Sequence, residues 1–247
     1  MKHLGLTPEL EQLRSQANQW GVDLSDSQLT VMGNYAKVLD RYEAANVMGT
    51  RDATRIILEH LIDALSCYLV QDLHRASSLI DVGAGGGLPG IPLSIVRSDL
   101  RVTLLEAVGK KVRFLNYARA ALGLTNLEVL HARAEEAAKN PAYREAFQVA
   151  SARALATLPV VVEYCAPLVR VGGTILAMKG ALAQQELSVG VAAARKLGVE
   201  FREVREVKYQ EHLPQKERNL VVLDKVAATP GRFPRRVGVA KKRPLGV

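Results

Sequence analysis

Residues 78–92 of the chain, SLIDVGAGGGLPGIP, decide its fold. Residues 79–82 are a short apolar run of the size of a buried parallel strand, and glycines follow at once. Pro89 and Pro92 then stand where the first turn of a helix tolerates proline, because the N–H that proline lacks has no partner there. The stretch therefore predicts a strand, a tight glycine turn and a helix. In an open α/β sheet such a turn lies at the carboxyl edge of the strands, where ligands bind and glycines let the backbone approach them closely.

The spacing of the glycines narrows the class of ligand. The dinucleotide fingerprint Gly-x-Gly-x-x-Gly is met by Gly83 and Gly85 but not at its third glycine, where Leu88 stands. The chain contains no Gly-x-x-x-x-Gly-Lys-Ser/Thr, so a P-loop is excluded. The stretch does match Asp-x-Gly-x-Gly-x-Gly, through Asp81, Gly83, Gly85 and Gly87, and this resembles motif I of the S-adenosylmethionine-dependent methyltransferases. An NAD-dependent oxidoreductase stays as an alternative that the missing glycine disfavours.

The next predicted strand, RVTLLE at residues 101–106, ends in an acid. An acid at this place accepts hydrogen bonds from the ribose hydroxyls of a nucleotide cofactor. Glu106 is therefore a candidate for cofactor binding. A solvated carboxylate at the end of a strand is the alternative interpretation.

The positive charge of the chain is concentrated at its C-terminus. The 247 residues include 33 basic and 25 acidic side chains, which gives a net charge of +8. Residues 230–247 contain no acidic residue and six basic ones, namely Arg232, Arg235, Arg236, Lys241, Lys242 and Arg243. A basic arm of this kind points to a polyanion, most often nucleic acid, with a solubilising terminus as the alternative.

The composition also restricts location and cofactors. No apolar run reaches the ~18–20 residues needed to span a bilayer, and the N-terminus lacks the apolar core of a secretion signal. Cys67 and Cys165 lie in apolar helical patterns without metal-ligand spacing. We therefore expect a cytoplasmic protein with reduced thiols, no membrane contact and no metal.

Hydrophobic periodicity divides the chain into helices and strands. Helices are predicted at residues 7–19, 26–42 and 54–69, before the first strand. After the glycine turn, strands are predicted at residues 101–106, 127–130, 147–152, 174–178, 201–207 and 219–223, and helices at residues 110–122, 158–169 and 182–197. This alternation predicts an α/β fold, a class I S-adenosylmethionine-dependent methyltransferase that is Rossmann-like, with a mostly parallel seven-stranded sheet and an antiparallel terminal strand. An N-terminal helical cap (residues 1–75) would pack on a methyltransferase core (76–229), followed by a basic C-terminal arm (230–247).

Three further motifs give a family resemblance. The segments LPGIPL at residues 88–93, GKKVRFL at residues 109–115 and SARA at residues 151–154 resemble RsmG, also called glucose-inhibited division protein B. RsmG is the family of bacterial 16S rRNA guanine-N7 methyltransferases. The resemblance runs from about residue 46 to the C-terminus, where the basic segment resembles the family's ending.

The resemblance implies S-adenosylmethionine as cofactor and 16S rRNA, free or in a small-subunit precursor, as partner, with a monomeric enzyme and guanine 527 as the modified nucleotide. The expected cofactor-binding residues are Asp81, Gly83, Gly85, Gly87, Leu88, Glu106, Ala134, Glu135 and Arg153. Within this set, Ala134 and Glu135 would frame the adenine, and Arg153 would lie beside the methionine end. The expected RNA-binding residues are Arg51, Lys110, Arg113, Lys179, Arg235, Arg236, Lys241, Lys242 and Arg243.

Methylation of guanine N7 needs no general base, because N7 has a free lone pair and loses no proton. Catalysis can come from alignment of the two reactants. A nearby acceptor or carboxylate would stabilise the positive charge that moves onto guanine, and Asp81 and Asn46 are the candidates. His60 and Asp63, three residues apart, are either a satisfied core pair or part of this site. A methyltransferase acting on a protein or small molecule, and a non-catalytic RNA-binding module, stay open as alternatives.

Overall fold

The computed structural model describes residues 6–44 and 46–246. The chain begins with two helices, α1 (Pro8–Gln19) and α2 (Asp26–Arg41). Ser25 caps α2 reciprocally with Gln28: the Ser25 hydroxyl accepts from the Gln28 amide, and the Gln28 side-chain oxygen accepts from the Ser25 amide at 2.9 Å. Two amides that would otherwise lack partners at the start of the helix are thereby satisfied.

The third helical segment, residues 53–69, changes its winding along its length. It consists of α3 (Ala53–Arg55), a π-helical turn (Ile56–Leu61), α4 (Ile62–Leu65) and a 3₁₀ turn (Ser66–Leu69). Its extent agrees with the single helix predicted at residues 54–69. A five-residue helix, α5 (Gln71–Arg75), follows, and the sequence analysis missed it because so short a helix shows no period.

Seven strands form one sheet in the order β3-β2-β1-β4-β5-β7-β6. They are β1 (Ser78–Val82), β2 (Arg101–Glu106), β3 (Leu127–His131), β4 (Phe147–Arg153), β5 (Val169–Lys179), β6 (Val199–Glu206) and β7 (Asn219–Lys225). The helices after β1 are α6 (Gly90–Val96), α7 (Gly109–Ala121), α8 (Ala134–Ala137), α9 (Leu158–Cys165), α10 (Gln184–Arg195) and α11 (Val239–Lys242). The pairs among β1 to β5 are parallel, and β7 is antiparallel to both β5 and β6. The predicted α/β architecture is thus confirmed.

Helices cover both faces of the sheet, and successive strand residues face opposite layers. In β1, Leu79 belongs to the core shared with the N-terminal helices, while Ile80 belongs to the core formed with α9. The strands that flank β1 are β2 and β4, so the connections diverge on its two sides. In open α/β sheets this switch point opens a crevice at the carboxyl ends of the strands.

Strand β5 begins earlier than predicted, at Val169 instead of residue 174. Gly172 and Gly173 therefore lie inside the strand and not in a turn before it. A Cβ atom on Gly173 would stand 2.5 Å from the Gln148 carbonyl oxygen, so glycine is needed there for close approach of the neighbouring strand.

Candidate functional site

The glycine loop after β1 is packed so closely that, at two of its positions, a Cβ atom fits only if a neighbouring side chain moves. Gly83 and Gly87 have φ angles of +73° and +89°, in the left-handed region. A Cβ on Gly83 would stand 2.5 Å from Leu155 Cδ1, and one on Gly87 would stand 2.4 Å from Ile91 Cδ1. The backbone is therefore the surface that the loop presents to a ligand.

Asp81 ties this loop to its surroundings. Its side chain is 1% exposed, and its two oxygens accept from the Gly90 amide at 2.9 Å and the Ser151 hydroxyl at 3.0 Å. Burial raises the pKa of Asp81 to about 6. Both oxygens are thus engaged by protein groups, and the carboxylate holds the start of α6 and the end of β4 in place. The other sequence candidate for charge stabilisation, Asn46, is exposed.

A cleft of about 260 Å³ lies at the carboxyl ends of β1 to β4. It will be called the cofactor cleft, because four of the predicted cofactor-binding residues line it: Gly83, Glu106, Ala134 and Glu135. Five others, Asp81, Gly85, Gly87, Leu88 and Arg153, are not among the residues that line it. The first four of these five form or brace the glycine loop, which reaches the cleft at Gly83.

Glu106 is the acid that the sequence placed at the end of the second strand. Its carboxylate is 6% exposed and accepts from the Gly85 amide at 2.9 Å and the Val108 amide at 2.8 Å. It thereby joins the glycine loop to the turn after β2 at the cleft wall. A carboxylate held here is suited to accept from the hydroxyls of a ribose.

Four polar residues of the cleft were missed by the sequence analysis as cofactor-binding groups: Lys111, Arg133, Tyr164 and Lys241. Lys111 stands in the GKKVRFL motif, in which Lys110 and Arg113 were assigned to RNA. Tyr164 gave no signal, because it lies in the apolar helix α9. Burial and the charge of Glu135 raise the pKa of Tyr164 to about 12, so its hydroxyl keeps its proton at neutral pH.

A second cleft, of about 230 Å³, adjoins the first at the ends of β4 and β5. It will be called the basic cleft, and its lining consists of Asp63, Arg153, Ala154, Met178, Lys179, Gly180 and Arg218. Ala154 lines both clefts and has a φ angle of +51°, which is rare for a residue with a side chain. The two clefts therefore share one lining residue, which directly follows β4.

Buried Asp63 pairs with two of the three cations that line the basic cleft. Arg153 Nε lies 3.1 Å from one of its carboxylate oxygens. Arg218 Nε lies 3.5 Å from the other, which also accepts from the Tyr209 hydroxyl at 3.2 Å. His60 belongs to the same hydrogen-bond network, because its Nδ1 accepts from the Arg153 guanidinium at 2.6 Å. Burial and Arg153 lower the pKa of His60 to about 4, so the imidazole is neutral at physiological pH.

The predicted RNA-binding residues occupy different environments. Seven are exposed: Arg51, Lys110, Arg113, Arg236, Lys241, Lys242 and Arg243. Of these seven, Lys241 also lines the cofactor cleft. Lys179 lies in the basic cleft and pairs with Glu186 at 2.7 Å. Arg235 forms an ion pair with Glu163, which is fully buried, so its charge is engaged with the core of the protein.

Residues 6–44 and 46–246 contain no group of three or more His, Cys, Asp or Glu side chains placed to hold a metal ion. Within the same ranges, no helix is long and apolar enough to cross a membrane.

Comparison with known proteins gives concordant matches over most of the chain. A family model described as GidB, rRNA small subunit methyltransferase G, matches residues 28–220. The Ribosomal RNA small subunit methyltransferase G of Rubrobacter xylanophilus is 48% identical over 236 residues, which cover 95% of this chain and 90% of that protein. The protein of the same name from Chloroflexus aggregans is 42% identical, over 92% of this chain and 94% of its own.

Among solved structures, a branched-chain polyamine synthase mutein from Thermus thermophilus, in complex with N4-aminopropylspermidine and 5'-methylthioadenosine, superposes with a TM-score of 0.56. It is 17% identical and covers 80% of this chain and 65% of its own. At this identity the likeness concerns the fold alone.

Proposed function

The chain belongs to the family of the rRNA small subunit methyltransferase G, which transfers methyl groups from S-adenosylmethionine to rRNA, and we propose that its target is N7 of a guanine in 16S rRNA, guanine 527. The observation that carries the proposal is the junction at Ala154. One cleft fits a nucleotide cofactor and the other fits a phosphate-bearing acceptor. Because they share Ala154 in their walls, a methyl group held in the first would lie close to an acceptor held in the second.

The residues of the cofactor cleft fit S-adenosylmethionine, which supplies the methyl group as a sulfonium. Gly83 lines the cleft without a side chain, so its backbone can lie close to the cofactor. Glu106 offers a carboxylate to ribose hydroxyls. Glu135, which is 3% exposed, offers one to the amino group of an adenine. These residues would hold and orient the cofactor, with Ala134 beside Glu135.

The basic cleft is suited to the acceptor nucleotide because its cations outnumber its acids. Arg153, Lys179 and Arg218 line it, Asp63 is the acid among its lining residues, and Glu186 pairs with Lys179 from outside the lining, which leaves one cation in excess. A phosphate group of RNA would complete the charge balance, and Arg218 and Lys179 would donate to its oxygens. Specific recognition of RNA uses unstacked bases, which fit into clefts of this kind.

Guanine N7, which loses no proton on methylation, agrees with the state of His60, which lies near Ala154 and is not free to accept a proton. His60 is an imidazole beside the basic cleft, and its Nδ1 lone pair is occupied by Arg153. N7 attack requires no proton removal, so alignment of the reactants can supply most of the catalysis. Asp81 supports this alignment through the glycine loop. Asn46 precedes Val47, and the Val47 carbonyl oxygen would lie 3.4 Å from a Cβ atom built on Gly86 of the same loop. We assign both to positioning, and since neither lines the two clefts, any electrostatic stabilisation of the charge on guanine by them would act at longer range.

The test is methyl transfer from labelled S-adenosylmethionine to small-subunit rRNA and to particles from cells that lack this gene, with the labelled nucleoside identified. Label in 7-methylguanosine at one site supports the proposal. Label in another nucleoside, or at another guanine atom, contradicts the assignment of N7. Label that appears only in protein or in a small molecule contradicts the assignment of rRNA as acceptor.

A further inference from the structure

The basic C-terminal segment, residues 230–246, is anchored on the core at two buried carboxylates. The Arg235 guanidinium pairs with Glu163, and its Nε donates to Glu163 Oε1 at 2.8 Å. Three residues on, the Gly238 amide donates to Glu135 Oε1 at 2.9 Å. Glu163 is fully buried, so its charge depends on Arg235 for a partner.

Apolar contacts reinforce these anchors. Phe233, before the first anchor, is 6% exposed, and Ala240, after the second, is 1% exposed. Both belong to the core cluster that includes helix α9. A segment held at four points over eight residues has a fixed path on the protein surface.

This path carries Lys241 into the lining of the cofactor cleft. Lys241 is one residue beyond buried Ala240, in the short helix α11 that follows Gly238. The cleft wall that it joins includes Glu135, to which Gly238 is bound. The neighbouring Lys242 and Arg243 are exposed and do not line the cleft.

From this arrangement we infer that Lys241 is a cofactor-binding residue and that residues 230–246 form a wall of the cofactor cleft. Its ammonium group contacts the adenosine half of S-adenosylmethionine. That half presents ring nitrogens as acceptors, and an ammonium is a donor with no acceptor capacity of its own. Glu135 and Lys241 would then recognise the adenosine from adjacent positions, the acid as acceptor and the lysine as donor.

Calorimetric titration of the full-length protein tests the inference without RNA or turnover. The ligands are S-adenosylmethionine, S-adenosylhomocysteine and 5'-methylthioadenosine, of which the last lacks the amino-acid half. Lys241→Ala should weaken all three by about tenfold, which equals about 1.4 kcal/mol. The matched control is Lys242→Ala, which should leave all three affinities within about twofold, since Lys242 does not line the cleft.

Two results would overturn the inference. Wild-type affinity of Lys241→Ala for all three ligands would remove Lys241 from the binding site. A loss for S-adenosylmethionine and S-adenosylhomocysteine with no loss for 5'-methylthioadenosine would place the contact on the amino-acid half. Because the readout is cofactor affinity, failure here is separable from failure of the guanine-N7 assignment.

A second variant tests the wall independently of the Lys241 side chain. Arg235→Ala removes the partner of Glu163 and should release the segment, so cofactor affinity should fall although Arg235 does not line the cleft. Far-ultraviolet circular dichroism checks that the variant stays folded. Wild-type affinity in a folded Arg235→Ala protein would contradict the role of the segment as a wall.

Discussion

Alanine at Gly87 should destabilise the protein more than alanine at Gly85, although both glycines are in the same loop and both have positive φ. The φ angles are +89° and +59°, and a left-handed alanine costs about 1–2 kcal/mol at either position. At Gly87 the new Cβ would also stand 2.4 Å from Ile91 Cδ1 and 3.1 Å from the Tyr35 hydroxyl. At Gly85 the nearest atom would be the Gly83 carbonyl oxygen, 3.8 Å away.

Overpacking of a buried site adds about 1–3 kcal/mol, so Gly87→Ala should cost about 2–5 kcal/mol in total and Gly85→Ala about 1–2 kcal/mol. Ile91 is fully buried and cannot turn aside freely. Urea unfolding measures the free energy of unfolding of each variant, and equal slopes with denaturant show that the unfolded states are comparable.

Gly21→Ala is the matched control for the backbone effect. Gly21 has a φ of +76°, follows α1 outside the glycine loop, and a Cβ placed on it would have no neighbouring atom within 4 Å. It should behave like Gly85→Ala in stability. If Gly87→Ala proved no more destabilising than these two, the close packing of the loop against Ile91 would not be what requires glycine there.

Three further outcomes follow from the charges of the site. Burial raises the pKa of Asp81 to about 6, so this carboxyl stabilises the folded protein fully below pH 4, and the contribution is lost as pH rises through 6. In urea unfolding from pH 4 to 7, the free energy of unfolding should therefore fall less for Asp81→Asn than for wild type. Burial and Arg153 lower the pKa of His60 to about 4, so neutral His60 stabilises the folded protein fully above pH 6.5, and this contribution is lost as pH falls to 4. An NMR titration of His60 should show no protonation near pH 6.5. Replacing exposed Arg236 and Lys242 by alanine should weaken RNA binding and reduce the slope of log K against log salt by about 1.4, whereas an unchanged slope would remove both from the RNA interface.

The sequence predicted the parts of the molecule that depend on local pattern. The glycine stretch after β1, the acid at the end of β2 and the alternation of strands with helices all leave a signature within a few residues. They were sufficient for the architecture and for Gly83 and Glu106 as cleft residues, whereas Ala134 and Glu135 came from the family resemblance. The role of Asp81 was harder to foresee, because its partners Gly90 and Ser151 were set by packing across two strands.

What the sequence could not show is which charged groups face solvent. The partner of Arg235 is 72 residues away, in a helix whose pattern is apolar. Periodicity and composition give no sign of such a contact, so a docked segment and a free basic arm have the same sequence signature. The start of β5 was misplaced for a related reason, since a glycine pair marks either a turn or a close approach of strands.

Because residues 230–246 are docked on the core, their basic side chains lie in three different environments. Arg235 neutralises Glu163. Lys241 faces the cofactor cleft. Arg232, Arg236, Lys242 and Arg243 are exposed and outside the cleft, so an RNA backbone can reach them without entering it. On the two proposals made above, one short segment bears both a wall of the cofactor cleft and part of the RNA surface, so a shift of the segment on RNA binding would alter the cofactor cleft as well. By linkage, the two ligands then change each other's affinity by the same factor.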